Sequence, residues 1–396
     1  MKITLAPVGT AGDLFPILAL GKELQGRGHV VTLCAPEEFR SVAYETGIQL
    51  VSSGPTYAEF LECRSGEDVA AGLADMVGRD VATQFVALRD ALRTADVLVG
   101  SRLQIAGPSM AESHGIPYFY AVTTPPVSDY DQYPVFGVPA EKAQKRRSRR
   151  LKEWEKAILP ALNRERLFTH LRPVTRLFEH LYRNGHTLFA VDPAVAPFRE
   201  GANQSITGFW YFSDSVFCTL TAEDQSFVTG DGKIVYIGRL AVRDSDEIIA
   251  ICRSLNSSGY RVVLGRNWQI AGELPPGCRI LESFYYQPVL PRASVIVHSG
   301  DSDETSEAFR AGIPQVIWPV SVEQNYWAQR SLALGLCPAI VSNGNELSAA
   351  IRTVLDNPVF AEKSKGIAEK LLNGKESAAQ IIEKVTLEHS NPRSVQ

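Results

Sequence analysis

The chain has 396 residues, 45% of them hydrophobic and 21% charged, which indicates a soluble globular protein with two domains of ordinary size. Its net charge of −4 argues against a protein that binds nucleic acid through its overall charge. The six cysteines are scattered without a CxxC pair, so we expect reduced thiols in a cytoplasmic protein rather than a zinc site or a disulfide framework. No stretch approaches the roughly 20 apolar residues of a membrane span, and the N-terminal apolar run is too short for a signal peptide.

The first half of the chain alternates strands and helices. Short apolar segments predict strands in KITLAPV, HVVTLCAP, IQLVSS, ADVLVGS and IPYFYAV, and helical patterns lie between them. The first helix, DLFPILALGKELQGRG, opens with Asp13, has Pro16 in its first turn and closes on Gly28. Strands separated by helices of about ten to fifteen residues predict a parallel, doubly wound sheet.

A second α/β half begins at KIVYIG, after a polar and irregular stretch that suits a linker. We therefore predict an α/β protein of two doubly wound, Rossmann-like domains that face a cleft, where ligands bind at the carboxyl ends of the strands. The predicted boundaries are an N-terminal domain at 1–212, a linker at 213–231, a C-terminal domain at 232–380 and a tail at 381–396.

Residues 137–185 interrupt the alternation and carry a basic run, EKAQKRRSRRLKEWEK. Its cations are Lys142, Lys145, Arg146, Arg147, Arg149, Arg150 and Lys152. One interpretation is a solvated helix face or a mobile loop. The other is contact with an anionic acceptor or a membrane surface.

Three segments resemble one family. They are GTAGDLFPILALGKELQGRGHVVTLCAPEEFR, the segment ITGFWYF, and VLPRASVIVHSG with the following EAFRAGIPQVIWPVSVEQNYWAQRSLALG. Their order and spacing resemble the bacterial glycosyltransferases that modify antibiotics, sterols and rhamnolipid-type acceptors, in the UDP-glycosyltransferase superfamily with the GT-B fold. The likeness extends over nearly the whole chain.

The resemblance implies an inverting sugar transfer in one displacement. The acceptor would lie mainly on the N-terminal domain and a nucleoside-diphosphate sugar on the C-terminal domain, with no obligatory metal. Asp13 would take the acceptor proton as general base, although capping of its own helix explains the same residue. Residues expected to bind the donor or another ligand are Gly12, Arg239, Arg266, Trp268, His298, Ser299, Gly300, Asp301, Ser302, Glu323 and Gln324.

The donor-phosphate turn departs from the family pattern His-Gly-Gly-x-Gly-Thr-Thr. In the alignment on EAFRAGIPQ, the phosphate-contacting histidine falls on Ser299, and two glycines and a threonine fall on Asp301, Asp303 and Glu304. A helix N-terminus favours an anion by roughly 0.3–1 kcal/mol. One carboxylate about 4 Å from a phosphate charge costs roughly 1 kcal/mol in water and about 4 near a protein surface. We therefore expect repulsion to prevail over the helix dipole.

Three interpretations of this turn stay open. A divalent cation held by Asp301, Asp303 and Glu304 could bridge to the diphosphate, since oxygen-only clusters suit Mg²⁺ or Ca²⁺. The donor could differ, with arginines redirecting its anionic part. Nucleotide binding could also be lost, with acid–base cyclisation or rearrangement of a similar acceptor instead. The spacing from Asp301 to Glu304 also fits a simple capping box.

We expect an atypical glycosyltransferase that acts on a small apolar natural product. The alternatives are a GT-B-fold biosynthetic enzyme without a nucleotide sugar, or a non-catalytic partner of another transferase. The acceptor pocket is predicted near residues 56–76 and 120–136, and its aromatic lining is Phe119, Tyr120, Tyr130, Tyr133 and Phe136. The sequence assigns neither an oligomeric state nor the identity of acceptor and sugar.

Overall fold

The structure is a computed structural model of the chain. It describes residues 1–65, 69–124, 140–197, 200–212, 220–238, 240, 245–265, 268, 270–281 and 288–390. The chain folds into two compact units. The first unit holds residues 1–193, 198–212 and 372–396, and the second holds 194–197 and 213–371.

The first unit contains a parallel sheet. Its strands are β1 (Lys2–Ala6), β2 (Val30–Ala35), β3 (Gln49–Ser52), β4 (Val97–Ser101), β5 (Tyr118–Val122), β6 (His186–Phe189) and β7 (Gln204–Ile206). In the described residues their order is β3-β2-β1-β4-β5-β6-β7, and every pairing is parallel. Both β4 and β5 are buried along their whole length, as expected for strands with both faces covered.

The helices of the first unit cover that sheet. In its N-terminal part they are α1 (Ala11–Gly26), α2 (Arg40–Glu45), α3 (Tyr57–Ser65), α4 (Val69–Ala91), α5 (Gly107–His114), α6 (Ala140–Phe168) and α7 (Leu177–Arg183). Pro16 lies in the second turn of α1 and not in its first, because the helix begins at Ala11. The predicted interruption of the fold at residues 137–185 is mainly the long helix α6.

The second unit contains a smaller parallel sheet. Its strands are β8 (Ile234–Ile237), β9 (Arg261–Leu264), β10 (Cys278–Ile280), β11 (Ala293–His298) and β12 (Gln315–Ile317). Among described residues their order is β10-β9-β8-β11-β12. The helices of this unit are α8 (Ala222–Thr229), α9 (Ser245–Ser257), α10 (Ser302–Ala311), α11 (Val322–Ala333), α12 (Gly344–Asp356) and α13 (Val359–Ala368). The last helix, α14 (Gly374–Ser390), belongs to the first unit.

Part of the predicted linker is a helix, which corrects its interpretation as irregular. Thr221 caps α8 by accepting the N–H of Asp224, and Asp224 also forms an ion pair with Arg279. Val228 is buried in the core of the second unit. Because the segment is polar on most of its surface, its periodicity is too weak to signal a helix in the sequence.

The C-terminal boundary also differs from the predicted one, because residues from 372 onward belong to the first unit. The N–H of Leu372 donates to Asp192, and the guanidinium of Arg27 donates two hydrogen bonds to Glu383, at 2.8 and 2.6 Å. His29 lies 2.8 Å from the same carboxylate. Helix α14 is therefore fixed by charge to the start of the chain.

Among the described helices, none is long and apolar enough to cross a membrane. The five cysteines described (Cys34, Cys63, Cys252, Cys278 and Cys337) form no disulfide.

We predict that Glu383→Gln loosens α14. The hydrogen bonds from Arg27 are the main reason that the pKa of Glu383 falls to about 2, from 4.5. Since this folded-state pKa is depressed, the stabilisation is present above about pH 4.5 and is lost as the pH falls towards 2. At neutral pH the variant should lose roughly 1–2 kcal/mol of unfolding free energy, measured by urea denaturation.

The control is Glu388→Gln, at an exposed position of the same helix. Equal losses in both variants, or a difference that does not shrink in acid, would contradict the assigned role of Glu383.

Candidate active site

The loops after β1 and β4 meet at the carboxyl edge of the first sheet. Strand order reverses between these two strands, and ligands bind at such a switch point in open α/β sheets. The N–H of Val8 donates to Ser101 Oγ at 3.0 Å, which ties the first loop to the end of β4. This edge is therefore the expected ligand position of the first unit.

Asp13 lies in the loop-to-helix turn that follows β1. Its carboxylate accepts the N–H of Thr10 at 2.9 Å, and it is the third residue of α1. A Cβ at Gly9 would overlap this carboxylate, and Gly9 also has a φ of +154°. Asp13 is half-buried, so the capping interaction is present and the carboxylate still reaches the surface of the switch point.

Gly12 precedes Asp13 in the same helical turn. Pro16 has no N–H, so it cannot donate the helical hydrogen bond to the carbonyl of Gly12 four residues earlier. The helix itself therefore supplies no i+4 donor to this carbonyl, which is a main-chain acceptor beside Asp13.

The predicted aromatic lining of the acceptor pocket is only partly described. Phe119 and Tyr120 lie on β5 with 0% and 1% exposure. Tyr120 contacts Tyr182 edge-on and donates its hydroxyl proton to the carbonyl of Arg102. The structure thus puts both residues in the core instead of on a pocket wall, because β5 is an internal strand covered on both faces. Tyr130, Tyr133 and Phe136 lie outside the described residues.

Asp80 is a half-buried acid near this edge that the sequence did not signal. The side chain of Gln84 donates to Asp80 at 2.9 Å and accepts the N–H groups of Ile105 and Ala106, in the loop after β4. Burial raises the pKa of Asp80 from 3.8 to about 6; the Gln84 hydrogen bond opposes this and the charge of Glu59 adds to it. The sequence gives no signal for Asp80, because a single acid within a helix such as α4 looks the same as an ordinary exposed polar residue.

We predict that Asp80→Asn stabilises the protein above about pH 6. Because the pKa of this acid is higher in the folded than in the unfolded protein, the folded state is favoured while the acid is protonated, at pH values below its unfolded-state pKa. This stabilisation is lost as the pH rises through the folded-state pKa. Asparagine keeps an acceptor for Gln84 and carries no charge. The gain at pH 8 should be roughly 1–3 kcal/mol of unfolding free energy, and it should shrink below pH 4.

Urea denaturation across this pH range measures the effect. Asp75→Asn, at an exposed position of the same helix, is the matched control and should show no such trend. A constant difference across the range would count against the raised pKa of Asp80.

In the second unit the corresponding switch point lies between β8 and β11. The loop after β8 begins at Gly238, whose N–H donates to Val297 on β11. A Cβ on Gly238 would overlap Oε1 of Glu304, the third residue of α10. Glu304 is 2% exposed. Its carboxylate therefore occupies the space between the two loops, where the fold would put a ligand.

The side chain of His298 holds the backbone of the turn that precedes α10. It is fully buried, and its Nδ1 accepts the N–H of Gly300 at 3.1 Å. The other ring nitrogen therefore donates to Gln315, at 2.9 Å. Burial lowers the pKa of His298 to about 4, so the ring is neutral near pH 7. Gly300 has a φ of +93°, and a Cβ there would approach the carbonyl oxygen of Gln324 to 2.8 Å.

Asp301 is held by side chains and does not cap α10. Its carboxylate accepts the hydroxyl of Ser299 at 3.1 Å and the amide of Gln324 at 3.0 Å. It makes no side-chain hydrogen bond to the first turn, and Glu304 turns towards Gly238 instead. The expected capping box from Asp301 to Glu304 is therefore wrong: non-local partners compete successfully for both carboxylates.

The other described residues that were predicted to bind the donor lie on α10, on α11 and in the segment between β9 and β10. Gln324 caps its own helix α11, where its side-chain oxygen accepts the N–H groups of Val320 and Ser321. Glu323 is in the first turn of α11, and Ser302 begins α10. Trp268 donates its indole N–H to the carbonyl of Gly238 at 2.8 Å.

Arg239 and Arg266 lie outside the described residues. Within the described ranges, no three His, Cys, Asp or Glu side chains are grouped so that they could hold a metal ion. The three acids of the turn accordingly do not converge on one point in this structure.

Comparison with solved structures identifies the class of fold. The glycotransferase of kitacinnamycin is 20% identical and covers 97% of this chain and 98% of its own, with a TM-score of 0.74. Glycosyltransferase VinC in complex with dTDP is 18% identical, covers 98% of this chain and all of its own, and has a TM-score of 0.69. The architecture is therefore GT-B, as the sequence predicts.

Sequence comparison gives the family. Residues 3–129 match the glycosyltransferase family 28 N-terminal domain, and residues 262–386 match the erythromycin biosynthesis protein CIII-like C-terminal domain. The dTDP-epi-vancosaminyltransferase of Amycolatopsis orientalis is 29% identical over 376 residues and covers 90% of both chains. The chain belongs to the GT-B glycosyltransferase superfamily, and the resemblance found in its sequence is confirmed.

Proposed function

We propose that this enzyme transfers a sugar, with inversion, to a hydroxyl of a small apolar acceptor, and that Asp13 is the general base. The observation that carries the proposal is the position of the Asp13 carboxylate, half-buried at the β1–β4 switch point and oriented by Thr10. A base held in this way takes the acceptor proton without reorganising during the reaction.

The proposed donor is a nucleoside-diphosphate sugar bound on the second unit. Two observations from the comparisons support it: VinC was solved with dTDP, and the relative from Amycolatopsis orientalis is named for a dTDP-linked sugar. In this chain the diphosphate would lie over the N-terminus of α10, which favours an anion. No resident cofactor is needed for this reaction.

Glu304 makes the proposed donor site atypical. Its carboxylate lies against Gly238, so a diphosphate at the switch point would have to displace it. Asp301 is a weaker obstacle, because its charge is already stabilised by hydrogen bonds from Ser299 and Gln324. We propose that Glu304 is the main reason for weak binding of the nucleotide in the resting protein.

The same contact favours a second candidate function. If the turn stays closed, the first unit retains its base while no nucleotide sugar binds, and the enzyme would carry out acid–base cyclisation or rearrangement of a similar acceptor. Nucleotide affinity distinguishes the two functions.

We predict that Asp13→Asn lowers turnover by roughly 10²–10⁴-fold, the range of a positioned general base. Asparagine still accepts the N–H of Thr10, so the unfolding free energy should change little. Turnover is measured with purified enzyme, acceptor and donor, and stability by denaturation of the same preparations. Unchanged turnover would identify Asp13 as a capping residue alone.

We predict that nucleoside diphosphates bind no tighter than about 1 mM in EDTA, which corresponds to about 4 kcal/mol of affinity. Calorimetry with UDP, dTDP and GDP measures this. Glu304→Thr removes the carboxylate from Gly238 and should tighten binding by roughly tenfold or more. The triple change Asp301→Gly, Asp303→Gly and Glu304→Thr should also tighten it, provided the turn survives the loss of the Ser299 and Gln324 bonds.

The matched control is Glu362→Thr, at an exposed position on α13 of the same unit, which should leave affinity unchanged. A micromolar dissociation constant for the unmodified protein in EDTA would contradict the electrostatic argument. Failure of all variants to bind nucleotide would favour the second candidate function.

A further inference from the structure

Helix α6 carries a row of exposed side chains, most of them cations, on its outer face. Exposed residues recur at intervals of three or four along it: Lys142, Lys145, Arg149, Lys152, Lys156, Pro160, Arg164 and Leu167. This spacing keeps the side chains on one side of a helix. From Lys142 to Leu167 the row is about 38 Å long, at about 1.5 Å per residue. We call it the basic stripe.

The opposite face of α6 fixes this orientation. Ile158, Leu162 and Arg166 are buried against the first unit, and Arg166 donates to Ser109 and Glu112. Helix α4 packs so closely that a Cβ on Gly78 would lie 2.8 Å from the carbonyl oxygen of Ala157. Because the opposite face of α6 is buried in the first unit, the basic stripe faces outward.

The charge of α6 contrasts with that of the whole protein. Its 29 residues contain ten Lys and Arg and four Glu, a net charge of +6, whereas the whole chain carries −4. Within the stripe, Lys145 pairs with Glu141, Arg149 with Glu153 and Arg164 with Glu165. The three cations of these pairs are 62–77% exposed, so such pairs contribute little and their cations can exchange partners.

An exposed apolar pair ends the stripe. Leu167 and Phe168 are 62% and 72% exposed, and Arg172 and Arg176 are exposed just beyond them. Large apolar side chains side by side in water, bordered by cations, are typical of surfaces that bind a partner.

We propose that the basic stripe with Leu167 and Phe168 docks the first unit on an anionic lipid bilayer, with α6 lying along the surface. Lipid phosphates attract the cations, at about 1 kcal/mol for each Lys or Arg near the surface. The apolar pair inserts at the boundary between headgroups and acyl chains. A nucleic acid would match the cations but leaves Leu167 and Phe168 in water, so a bilayer accounts for more of the surface.

Vesicle flotation tests the proposal with the full chain. The probes are phosphatidylcholine vesicles with and without phosphatidylglycerol, at low and high salt. One variant reverses three charges, Lys145→Glu, Arg149→Glu and Lys152→Glu. A second combines Leu167→Ser with Phe168→Ser. The control reverses three exposed cations of the second unit, Arg253→Glu, Lys363→Glu and Lys370→Glu, with the same change in net charge.

The unmodified protein should bind only the phosphatidylglycerol vesicles, and less as salt rises. The stripe variant should lose about 100-fold in partitioning, from roughly three lost attractions. The apolar variant should lose about tenfold, and the control should bind normally; circular dichroism checks that each variant is folded.

Three results would overturn the proposal. They are no flotation of the unmodified protein with anionic vesicles, an equal loss in the control, or binding to a nucleic-acid oligomer that outcompetes vesicles and ignores Leu167→Ser and Phe168→Ser.

Discussion

The parallel pairing of β1 with β4, and of β8 with β11, is the constraint on which the candidate site of each unit depends. Parallel neighbours end at the same edge, so their following loops are brought together whatever their sequences are. Since strand order reverses between these pairs, the helices after them leave in opposite directions and open a crevice. Chemistry in each unit is then decided by the few side chains that enter this crevice.

In the second unit those side chains form a connected polar network. The neutral ring of His298 holds Gly300, the Asp301 carboxylate joins Ser299 to Gln324, and Gln324 in turn caps α11. Such a network is strong because each buried polar group would lose a partner if one member were removed. The turn is therefore stabilised by its own acids, and this explains how carboxylates persist at a helix start whose backbone suits phosphate.

The sequence predicted most of the fold because its strands are short apolar runs with clear turns between them. For β1 and β2 the predicted and observed ends differ by two residues or fewer. It failed where partners are distant: Glu304 lies 66 residues from Gly238 along the chain, so local spacing suggested a capping box. Phe119 and Tyr120 likewise read as pocket residues because a sequence does not distinguish a buried aromatic from one that lines a cavity. Helix α8 was missed because its segment is mostly polar.

Asp13 and Glu304 occupy equivalent helical positions in the two units, and their side chains differ by one methylene group. Each is the third residue of a helix at a switch point, and each carboxylate lies against a glycine where a Cβ would overlap it. The shorter aspartate reaches back only to its own loop, where Thr10 orients it at the surface. The longer glutamate reaches across to the neighbouring loop and is 2% exposed. The same helical position thus holds a half-buried carboxylate beside its own loop in one unit and a fully buried carboxylate against the neighbouring loop in the other.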